Sequence, residues 1–376
     1  MSFTPPIYPY ARLDELRALA GLHEGGVIDC SIGTPFDAPP PFVLSALARG
    51  DGARGYPPSA GTDAYRTAAA GWLRRSLHVD VPIDNVAACV GTKEFVASLG
   101  IFLKLRSPER DTILYPAVSY PTYAMGATLG GLRAVAVPMH GGRLRLDLIA
   151  HSDAHRALVL WTNSPSNPTG GLDDLSLAAA WGRERDVLVV SDECYSEYTW
   201  DGPAHSILQS GLDGVLAVHS ISKRSNLAGV RAGFYAGDPE VVAYLRAVRQ
   251  HAGLMVPAPV QAAVAEAYND DEHVATQRER YRTRIELLAA ALSARGIDAP
   301  LPQGTFYLWI SRSGCDGWQL AHELATVAGL LASPGEFYGP DGAGFVRIAL
   351  VQSNEKLQIA AHRLIEAESI DVTIVQ

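Results

Sequence analysis

Short apolar segments alternate with longer helical patterns between about residue 85 and residue 255. Six of these segments are rich in β-branched residues, and they begin at Asp111, Arg133, Arg156, Asp186, Val215 and Val230. Strands that helices cover on both faces have nearly continuous apolar sequences. The segments between them, such as LDDLSLAAAWGRER at residues 172–185, are long enough to form crossover helices. The pattern therefore predicts an α/β domain around a mostly parallel central sheet.

The pattern changes after residue 270. A long helical stretch at residues 273–295 leads to two alternating segments, QGTFYLWISR at residues 303–312 and GFVRIALV at residues 344–351. This order is typical of a smaller α+β domain, and we expect the Pro-rich N-terminus and TPFDAPPPF, residues 34–42, to pack with it. We predict a large domain at residues 45–270 and a discontinuous small domain at residues 1–44 and 271–376.

The composition of the chain limits the kinds of molecule that we expect it to bind. The chain has 376 residues, is 48% hydrophobic and is 19% charged, so it can bury a large core. A net charge of -9 gives no basic surface for nucleic acid or for an anionic membrane. The four cysteines lack the spacing of a metal or redox site, and no segment resembles a signal peptide or a membrane span. We expect a cytoplasmic protein without a metal site that acts on small molecules.

Polar side chains follow three consecutive predicted strands. Asn167 lies in SPSNPTG after the first of them, and Asp192 and Tyr195 follow the second. Ser220 and Lys223 follow the third. Ligands of open α/β sheets bind at the carboxyl ends of the strands. The sequence therefore predicts a site that combines an amide, a carboxylate, a phenol and an amine.

The candidate nucleophile is a lysine. The chain has four lysines, of which Lys104 and Lys356 lie in helical patterns and Lys93 lies at an apparent helix start in VGTKE. Lys223 follows a buried strand in the polar turn SISKRSN, where burial can lower the pKa of an amine as Schiff-base chemistry requires. We therefore select Lys223, and the alternative is a surface lysine on a strand-to-helix turn.

A pyridine cofactor withdraws electrons from a substrate only while its ring nitrogen is protonated, and this calls for a buried carboxylate partner. Asp192 is the candidate for that partner, and Asn167 and Tyr195 are candidates for donors to a phenolate oxygen of the ring. Each residue also has an ordinary structural alternative: a helix-capping aspartate, a turn asparagine before proline, or a core tyrosine.

A phosphate group needs backbone N–H groups at a helix start together with fixed positive charge. The segment VGTKE offers Gly91, Thr92 and Lys93 at such a start. Arg231, which we expect to open the next strand in GVRAGF, supplies charge, and Ser220 supplies a hydroxyl group. The alternative for Arg231 is a surface salt bridge, against which its flanking glycines argue because they permit close approach.

A substrate α-carboxylate calls for a planar donor of two parallel hydrogen bonds, which means arginine. Arg347 stands in the middle of the apolar segment GFVRIALV, where a charge needs a partner. We predict that Arg347 binds the α-carboxylate, and the alternative is a buried structural ion pair.

In this order, SPSNPTG, SDECY and SISKRSNLAGVRAG resemble the fold type I pyridoxal-phosphate (PLP) aminotransferases of the aspartate aminotransferase superfamily. The resemblance spans nearly the whole chain, from SIGTPFDAPP to GFVRIALV. It implies PLP as the cofactor, joined to Lys223 as a Schiff base. It also implies that Asp192 pairs with the ring nitrogen and that Asn167 and Tyr195 donate to the phenolate oxygen. Arg347 would bind the substrate carboxylate. The implied phosphate ligands are Thr92, Lys93, Ser220 and Arg231.

The resemblance extends to the ends of the site. Gly33 in SIGTP matches a substrate-binding loop, and with Asn167 and Arg347 it is an expected substrate-binding residue. Tyr56 in GYPPSAG matches a tyrosine that reaches the phosphate of the neighbouring subunit, which implies a homodimer with shared active sites. The aromatic residue that stacks on the cofactor is replaced by Ala117 at the aligned position, and we take Tyr120 as its substitute.

Three segments, SISKRSNLAGVRAGF, RQHAGLMVPAPVQAA and SPGEFYGPDGA, resemble the succinyldiaminopimelate aminotransferases of the actinobacterial lysine pathway. The resemblance implies amino exchange between N-succinyl-LL-2,6-diaminopimelate and 2-oxoglutarate. Alternatives of the same fold are a general aspartate or aromatic aminotransferase and a C–S β-lyase. A ligand-binding regulator that reuses this fold is a different class of protein, but it would need a further DNA-binding segment with a basic face, for which this chain has no room. Candidates for binding the succinyl tail are Tyr8, Tyr10, Arg12 and the loop around His251.

Overall fold

The computed structural model of the chain describes residues 3–49 and 54–367. It divides into a large unit, Asp37–Arg278 with Gln303–Thr305, and a small unit, Met1–Phe36, Glu279–Pro302 and Phe306–Gln376. The boundaries between the units, after residue 36 and after residue 278, each lie eight residues from the expected boundaries after residues 44 and 270. Residues 37–42 belong to the large unit because they bind the start of a long helix there: the Gln277 side chain donates to Asp37 Oδ2 at 2.8 Å, and Phe42 packs edge-on against His273.

The helices and strands of the two units follow in chain order. The helices are α1 (Asp14–Ala20), α2 (Pro41–Ala48), α3 (Asp63–Leu77), α4 (Thr92–Arg106), α5 (Thr122–Leu129), α6 (His151–Arg156), α7 (Leu175–Arg185), α8 (Ile221–Arg224), α9 (Pro239–His251), α10 (Ala258–Tyr268), α11 (Glu272–Ala294), α12 (Gly317–Ala328) and α13 (Asn354–Glu366). The strands are β1 (Ile28–Asp29), β2 (Val86–Cys89), β3 (Thr112–Pro116), β4 (Arg133–Val137), β5 (Met139–His140), β6 (Arg143–Leu144), β7 (Ala157–Asn163), β8 (Leu188–Asp192), β9 (Val215–Ser220), β10 (Gly233–Gly237), β11 (Tyr307–Ser311), β12 (Leu330–Leu331), β13 (Ser333–Pro334) and β14 (Phe345–Ala349).

The central sheet of the large unit has seven strands in the order β2-β10-β9-β8-β7-β3-β4. Strand β10 is antiparallel to both of its neighbours, and the other strands run parallel to one another. The predicted mostly parallel α/β sheet is therefore confirmed. Because Asn163 pairs with Asp192 and Asp192 pairs with Val218, the carboxyl ends of β7, β8 and β9 lie side by side.

Apolar side chains cover both faces of most of this sheet. One core cluster contains Trp72, Ala217 and Phe234, and the other contains Trp161 and Val218. All seven residues of β7 are buried, as the sequence pattern predicted. Strand β4 differs, because it is the edge strand and four of its five residues are exposed or only partly buried. The expectation that every predicted strand is covered on both faces was therefore wrong for β4.

Capping residues in the sequence set where several helices of the large unit begin. The Thr62 side chain accepts a hydrogen bond from the Tyr65 N–H group, and Asp174 and Asp238 cap α7 and α9 in the same way. Such caps satisfy backbone donors that have no partner inside the helix. They fix where each crossover helix begins, and hence the length of the loop that follows each strand.

The small unit contains an antiparallel sheet in the order β11-β14-β13 and a parallel pair of β1 with β12. The two alternating segments of the sequence form β11 and β14, as predicted. Helix α12 begins with a capping box between Asp316 and Gln319 and ends at Gly329, which has a left-handed backbone. Among residues 3–49 and 54–367, no helix combines the length and the apolar character needed to cross a bilayer.

Candidate active site

Asp192 ends strand β8 and is buried. The Tyr123 hydroxyl group donates to its Oδ2 at 2.9 Å, and the Cys194 N–H group donates to its Oδ1 at 3.2 Å. Burial raises the pKa of this carboxyl group, whereas hydrogen bonds from the Cys194 thiol, the Tyr123 hydroxyl group and the Cys194 N–H group, together with the positive charge of Lys223, oppose the increase. The result is a buried acidic group, held in a fixed orientation, within electrostatic reach of the predicted lysine.

Lys223 lies in the short helix α8, directly after β9, and is half-buried. The Tyr198 hydroxyl group donates to its carbonyl oxygen at 2.8 Å. Ser220 caps the same helix, because its Oγ accepts a hydrogen bond from the Ser222 N–H group at 3.1 Å. A capping hydroxyl that accepts from the backbone keeps its own proton for a second acceptor, such as a phosphate oxygen.

Asn167 and Tyr195 are both buried in the loops that follow β7 and β8. The Asn167 N–H group donates to Oδ1 of Asn163 at 2.7 Å, and the Asn163 side chain donates to the Asp192 carbonyl oxygen at 2.8 Å. Asn163 thus joins the loop that carries Asn167 to the strand end that carries Asp192. The structure brings these predicted residues to adjacent strand ends.

Gly91 and Arg231 form a cradle at the start of α4. Gly91 has a φ of 77° and precedes the helix without a capping side chain. A Cβ atom at Gly91 would lie 2.3 Å from Nη2 of Arg231, so the space for the guanidinium group exists only because residue 91 is glycine. Arg231 has a φ of 53° and precedes β10, which begins at Gly233; the expectation that it opens the strand was therefore wrong.

Thr92 and Ser220 both lie close to Gly233. Gly233 pairs with Ser220 in the sheet register, and a Cβ atom at Gly233 would lie 3.2 Å from Cγ2 of Thr92. Lys93 is the second residue of α4. A helix N-terminus, a guanidinium group and hydroxyl groups therefore lie together, which is the donor set that a phosphate requires. With a buried carboxylate and a lysine at neighbouring strand ends, the residues of the large unit fit PLP.

Tyr120 is half-buried, and its ring packs edge-on against Tyr123 with the ring centres 6.2 Å apart. Tyr123 stacks on Trp161 at 5.1 Å and is the residue that bonds to Asp192. Ala117 follows β3 directly, and its N–H group donates to the Val137 carbonyl oxygen. The aromatic side chains of this segment thus form a continuous group that ends at Asp192.

Arg347 is buried in the middle of β14, within the small unit. Its Nη2 donates to the Ser31 carbonyl oxygen at 2.7 Å and to the Tyr10 hydroxyl group at 3.4 Å. Its guanidinium group lies 4.2 Å from the ring centre of Tyr307 and 4.8 Å from that of Tyr338. The guanidinium group of Arg347 is thus held between hydrogen-bond acceptors and the faces of aromatic rings, and a fixed guanidinium group suits recognition of a planar carboxylate.

Gly33 belongs to the same unit as Arg347. A Cβ atom at Gly33 would lie 2.1 Å from the Tyr307 hydroxyl group, so no side chain fits there. Arg12, a candidate for the substrate tail, instead pairs with Glu336 at 2.7 Å and lies over the Trp318 ring. Tyr56 is 97% exposed and His251 is exposed at the end of α9, each within the large unit.

Two residues of this site were missed by the sequence analysis. Tyr123 binds Asp192 but lies inside helix α5, away from any strand end. Asn163 is the last residue of β7, so the rule that polar residues at strand ends face the ligand could have selected it. No local signal in the sequence identifies Tyr123.

This fold and this combination of lysine, buried carboxylate and phosphate cradle define a PLP-dependent transferase of fold type I. The chain belongs to the aminotransferase class I and II family, whose model matches residues 26–364. It is therefore a PLP-dependent aminotransferase, which acts on small amino and oxo compounds.

Several proteins are similar to it over nearly the whole chain. It is 42% identical to the 4-dedimethylamino-4-oxo-anhydrotetracycline transaminase OxyQ of Streptomyces rimosus, over 96% of this chain and 99% of OxyQ. It is also 42% identical to the probable aminotransferase Rv1178 of Mycobacterium tuberculosis, over 97% and 86% of the two chains. The structure of a probable N-succinyldiaminopimelate aminotransferase from Thermus thermophilus matches with a TM-score of 0.85 and 31% identity, over 95% and 99%.

Proposed function

We propose that the enzyme exchanges the amino group between N-succinyl-LL-2,6-diaminopimelate and 2-oxoglutarate in the biosynthesis of diaminopimelate and lysine. The similarity to the Thermus thermophilus protein and the three resembling segments support this substrate. The observation that carries the proposal is the fixed guanidinium group of Arg347, because both amino donors of this exchange carry an α-carboxylate.

Each residue of the large unit has a proposed task. Lys223 is the covalent attachment point of the cofactor, and its amine moves the proton at the substrate α-carbon. Asp192 keeps the ring nitrogen protonated, and Asn167 and Tyr195 donate to the phenolate oxygen. The phosphate is held by Thr92, Lys93, Ser220 and Arg231. Bound PLP supplies the electron sink for proton loss at the α-carbon.

The two ends of the substrate need separate groups. Arg347 receives the α-carboxylate, with Gly33 and Asn167 beside the substrate. The Tyr10 hydroxyl group already bonds to Arg347, so we assign Tyr10 to the α-carboxylate end. Arg12 is neutralised by Glu336, which makes it a poor ligand for a second carboxylate. Tyr8 and the loop around His251 therefore remain as candidates for the succinyl tail.

We also propose a homodimer with shared active sites. Tyr56 supports this arrangement because an aromatic side chain that is 97% exposed gains from burial against a second subunit. A mixture of Tyr56→Ala and Lys223→Ala proteins tests it, since a hybrid dimer would contain one site with both native residues. Recovery of activity on mixing supports sharing, whereas a monomer by light scattering with no recovery contradicts it.

The similarity to OxyQ favours a second candidate, amino transfer to a polycyclic ketone. An acceptor without an α-carboxylate would make no use of Arg347 in that half of the reaction. Arg347→Lys would then impair the half-reaction with glutamate but spare the half-reaction with the ketone. Equal impairment of both half-reactions would favour two carboxylate-bearing substrates.

Relative kcat/KM values across amino donors test the proposed substrate. N-succinyl-LL-2,6-diaminopimelate should exceed aspartate and phenylalanine as a donor to 2-oxoglutarate. Equal or better use of aspartate or phenylalanine would contradict the substrate and leave the aminotransferase activity intact. A parallel assay for ammonia and pyruvate from a cysteine conjugate separates transamination from C–S β-elimination.

A further inference from the structure

Two buried titratable residues lie directly beside the cofactor residues but take no part in the proposed chemistry. Glu193 follows Asp192, and His219 precedes Ser220. Neighbouring residues of a strand point to opposite faces of a sheet, so His219 points away from Ser220. Its ring packs against Trp72, with the ring centres 4.8 Å apart, and against Phe234 at 4.9 Å.

Several buried polar atoms in this region have weak or no hydrogen bonds to other described residues. Oε1 of Glu193 accepts a hydrogen bond from the Ile207 N–H group at 2.8 Å. Its Oε2 lies 3.3 Å from Nε2 of His219, but the two groups are not aligned for a hydrogen bond. Among the described residues, Glu193 Oε2, both ring nitrogens of His219 and the Tyr268 hydroxyl group have no protein partner in good hydrogen-bonding geometry. The Ser191 and Ser206 side chains lie near the Glu193 carboxyl group, and the Glu193 backbone lies near the His219 ring, so both residues have only weak polar contacts there. Leaving so many buried polar atoms unpaired is unfavourable.

The same three residues line one small cavity. Its volume is about 10 Å³, and Trp72 and Glu197 also contribute to its walls. A buried water molecule needs roughly 10–15 Å³ measured in this way and two to four polar partners. We propose that Glu193, His219 and Tyr268 hold one internal water molecule here, and that this hydrogen-bonded group fixes the strand ends that carry Asp192 and Ser220.

The protonation state of the group follows from burial. Desolvation raises the pKa of Glu193 to about 8 and lowers the pKa of His219 to about 3, so both side chains are neutral near pH 7. A protonated Glu193 can donate from Oε2 to the water, and the unprotonated ring nitrogen of the neutral His219 can accept from the water. The other titratable or charged groups that face this pair are Asp192, Cys194, Glu197, Arg224 and Tyr268.

A neutral Glu193 matters for the neighbouring carboxylate. A second negative charge beside Asp192 would raise the pKa of Asp192 further, as occurs when two carboxylates share a site. Holding Glu193 as a carboxylic acid leaves the negative charge on Asp192 alone. Glu193 and His219 are thus positioning residues, and this part of the inference rests on the proposed role of Asp192.

A high-resolution crystal structure of the holoenzyme tests the water site. Electron density for a water molecule should lie within hydrogen-bonding distance of Glu193 Oε2, a ring nitrogen of His219 and the Tyr268 hydroxyl group. A dry cavity would overturn the proposal. Tyr268→Phe should weaken this density, whereas the control Tyr65→Phe should keep it. The Tyr65 hydroxyl group donates to the Gly233 carbonyl oxygen, and its ring packs edge-on against Tyr268. Equal density in both variants would remove Tyr268 from the site.

Glu193→Gln tests the neutral acid, because glutamine has the same shape and carries no charge. The dissociation constant of PLP and the absorbance titration of the bound cofactor should stay close to those of the native enzyme. A change of more than about tenfold, the effect of one pKa unit, would overturn the neutral form. Asp192→Asn serves as the comparison. If this variant also leaves cofactor binding unchanged, the proposed role of Asp192 has failed. The electron density for the water molecule still decides whether the water site exists.

Discussion

The guanidinium group of Arg231 lies against the backbone of Gly91, so closely that a methyl group at residue 91 would lie 2.3 Å from Nη2. Both residues have a left-handed backbone, with φ values of 53° and 77°. Glycine at residue 91 therefore leaves space beside the first turn of α4, and Arg231 places a positive charge there.

Gly91→Ala should weaken PLP binding by at least about tenfold, because an added methyl group displaces Arg231 and alanine disfavours this backbone by roughly 1–2 kcal/mol. Equilibrium dialysis of PLP measures the effect. Gly229→Ala is the matched control, since a Cβ atom there meets no atom within 4 Å. Native affinity in Gly91→Ala would show that the cradle does not hold the phosphate.

Lys223→Ala should abolish the covalent link to PLP and lower turnover by at least about 10²-fold, the scale of a lost proton-transfer group. Borohydride reduction followed by mass spectrometry detects the link. In the control Lys104→Ala the link should persist, because Lys104 lies in the last turn of α4 and its Nζ donates to the Pro108 and Arg110 carbonyl oxygens of the loop that follows the helix. A native mass shift in Lys223→Ala would assign the attachment to another lysine.

Arg347→Lys should lower kcat/KM for glutamate by about 10- to 100-fold, because one charged hydrogen bond of a planar pair, about 1.5–3 kcal/mol, is lost. The melting temperature should change little. Arg363→Lys is a control in the same unit, since Arg363 donates to the Ala328 and Glu24 carbonyl oxygens. If Arg347→Lys instead unfolds the protein while its folded fraction keeps native kinetics, the arginine has a structural role.

Tyr123→Phe should weaken PLP binding by about tenfold, because Asp192 loses the donor at 2.9 Å and a lost buried hydrogen bond costs about 1–2 kcal/mol. The absorbance titration of the bound cofactor reports the same change. Tyr115→Phe, on the half-buried Tyr115 of β3, provides the comparison. Identical affinities for the two variants would mean that Tyr123 does not tune Asp192.

Through Glu193, stability should fall as the pH rises from about 4.3 to about 8, and above about pH 6.5 the opposing effect of His219 no longer offsets this loss. The folded protein keeps a proton on Glu193 up to a pKa of about 8, whereas the unfolded chain releases it near pH 4.3. The unfolded state therefore binds fewer protons, and the free energy of unfolding decreases by up to about 1.4 kcal/mol per pH unit. His219 has the opposite effect, with stability lost as the pH falls below about 6.5, because its pKa is lowered in the folded protein.

Urea unfolding of native protein and Glu193→Gln between pH 6.5 and pH 8 measures this contribution. The difference in unfolding free energy between the two proteins should shift in favour of the variant as the pH rises. A constant difference across this range would mean that Glu193 does not change its protonation state on unfolding.

The sequence by itself determined the order of the elements and the position of the main polar groups. The apolar segments were short and nearly continuous, so their ends were clear, and Asn167, Asp192, Ser220 and Lys223 could be read as residues at those ends. This worked because strand periodicity and strand ends are local properties of the chain.

The tertiary structure alone decided which of these ends are neighbours and what surrounds them. The pairing of Asn163 with Asp192, the contact of Tyr123 with Asp192 and the contact of Gly91 with Arg231 join residues far apart in the chain. The exposure of β4 depends on its place at the edge of the sheet. Such contacts arise from strand order and register, which are set by the packing of the whole core and leave no pattern in any one segment.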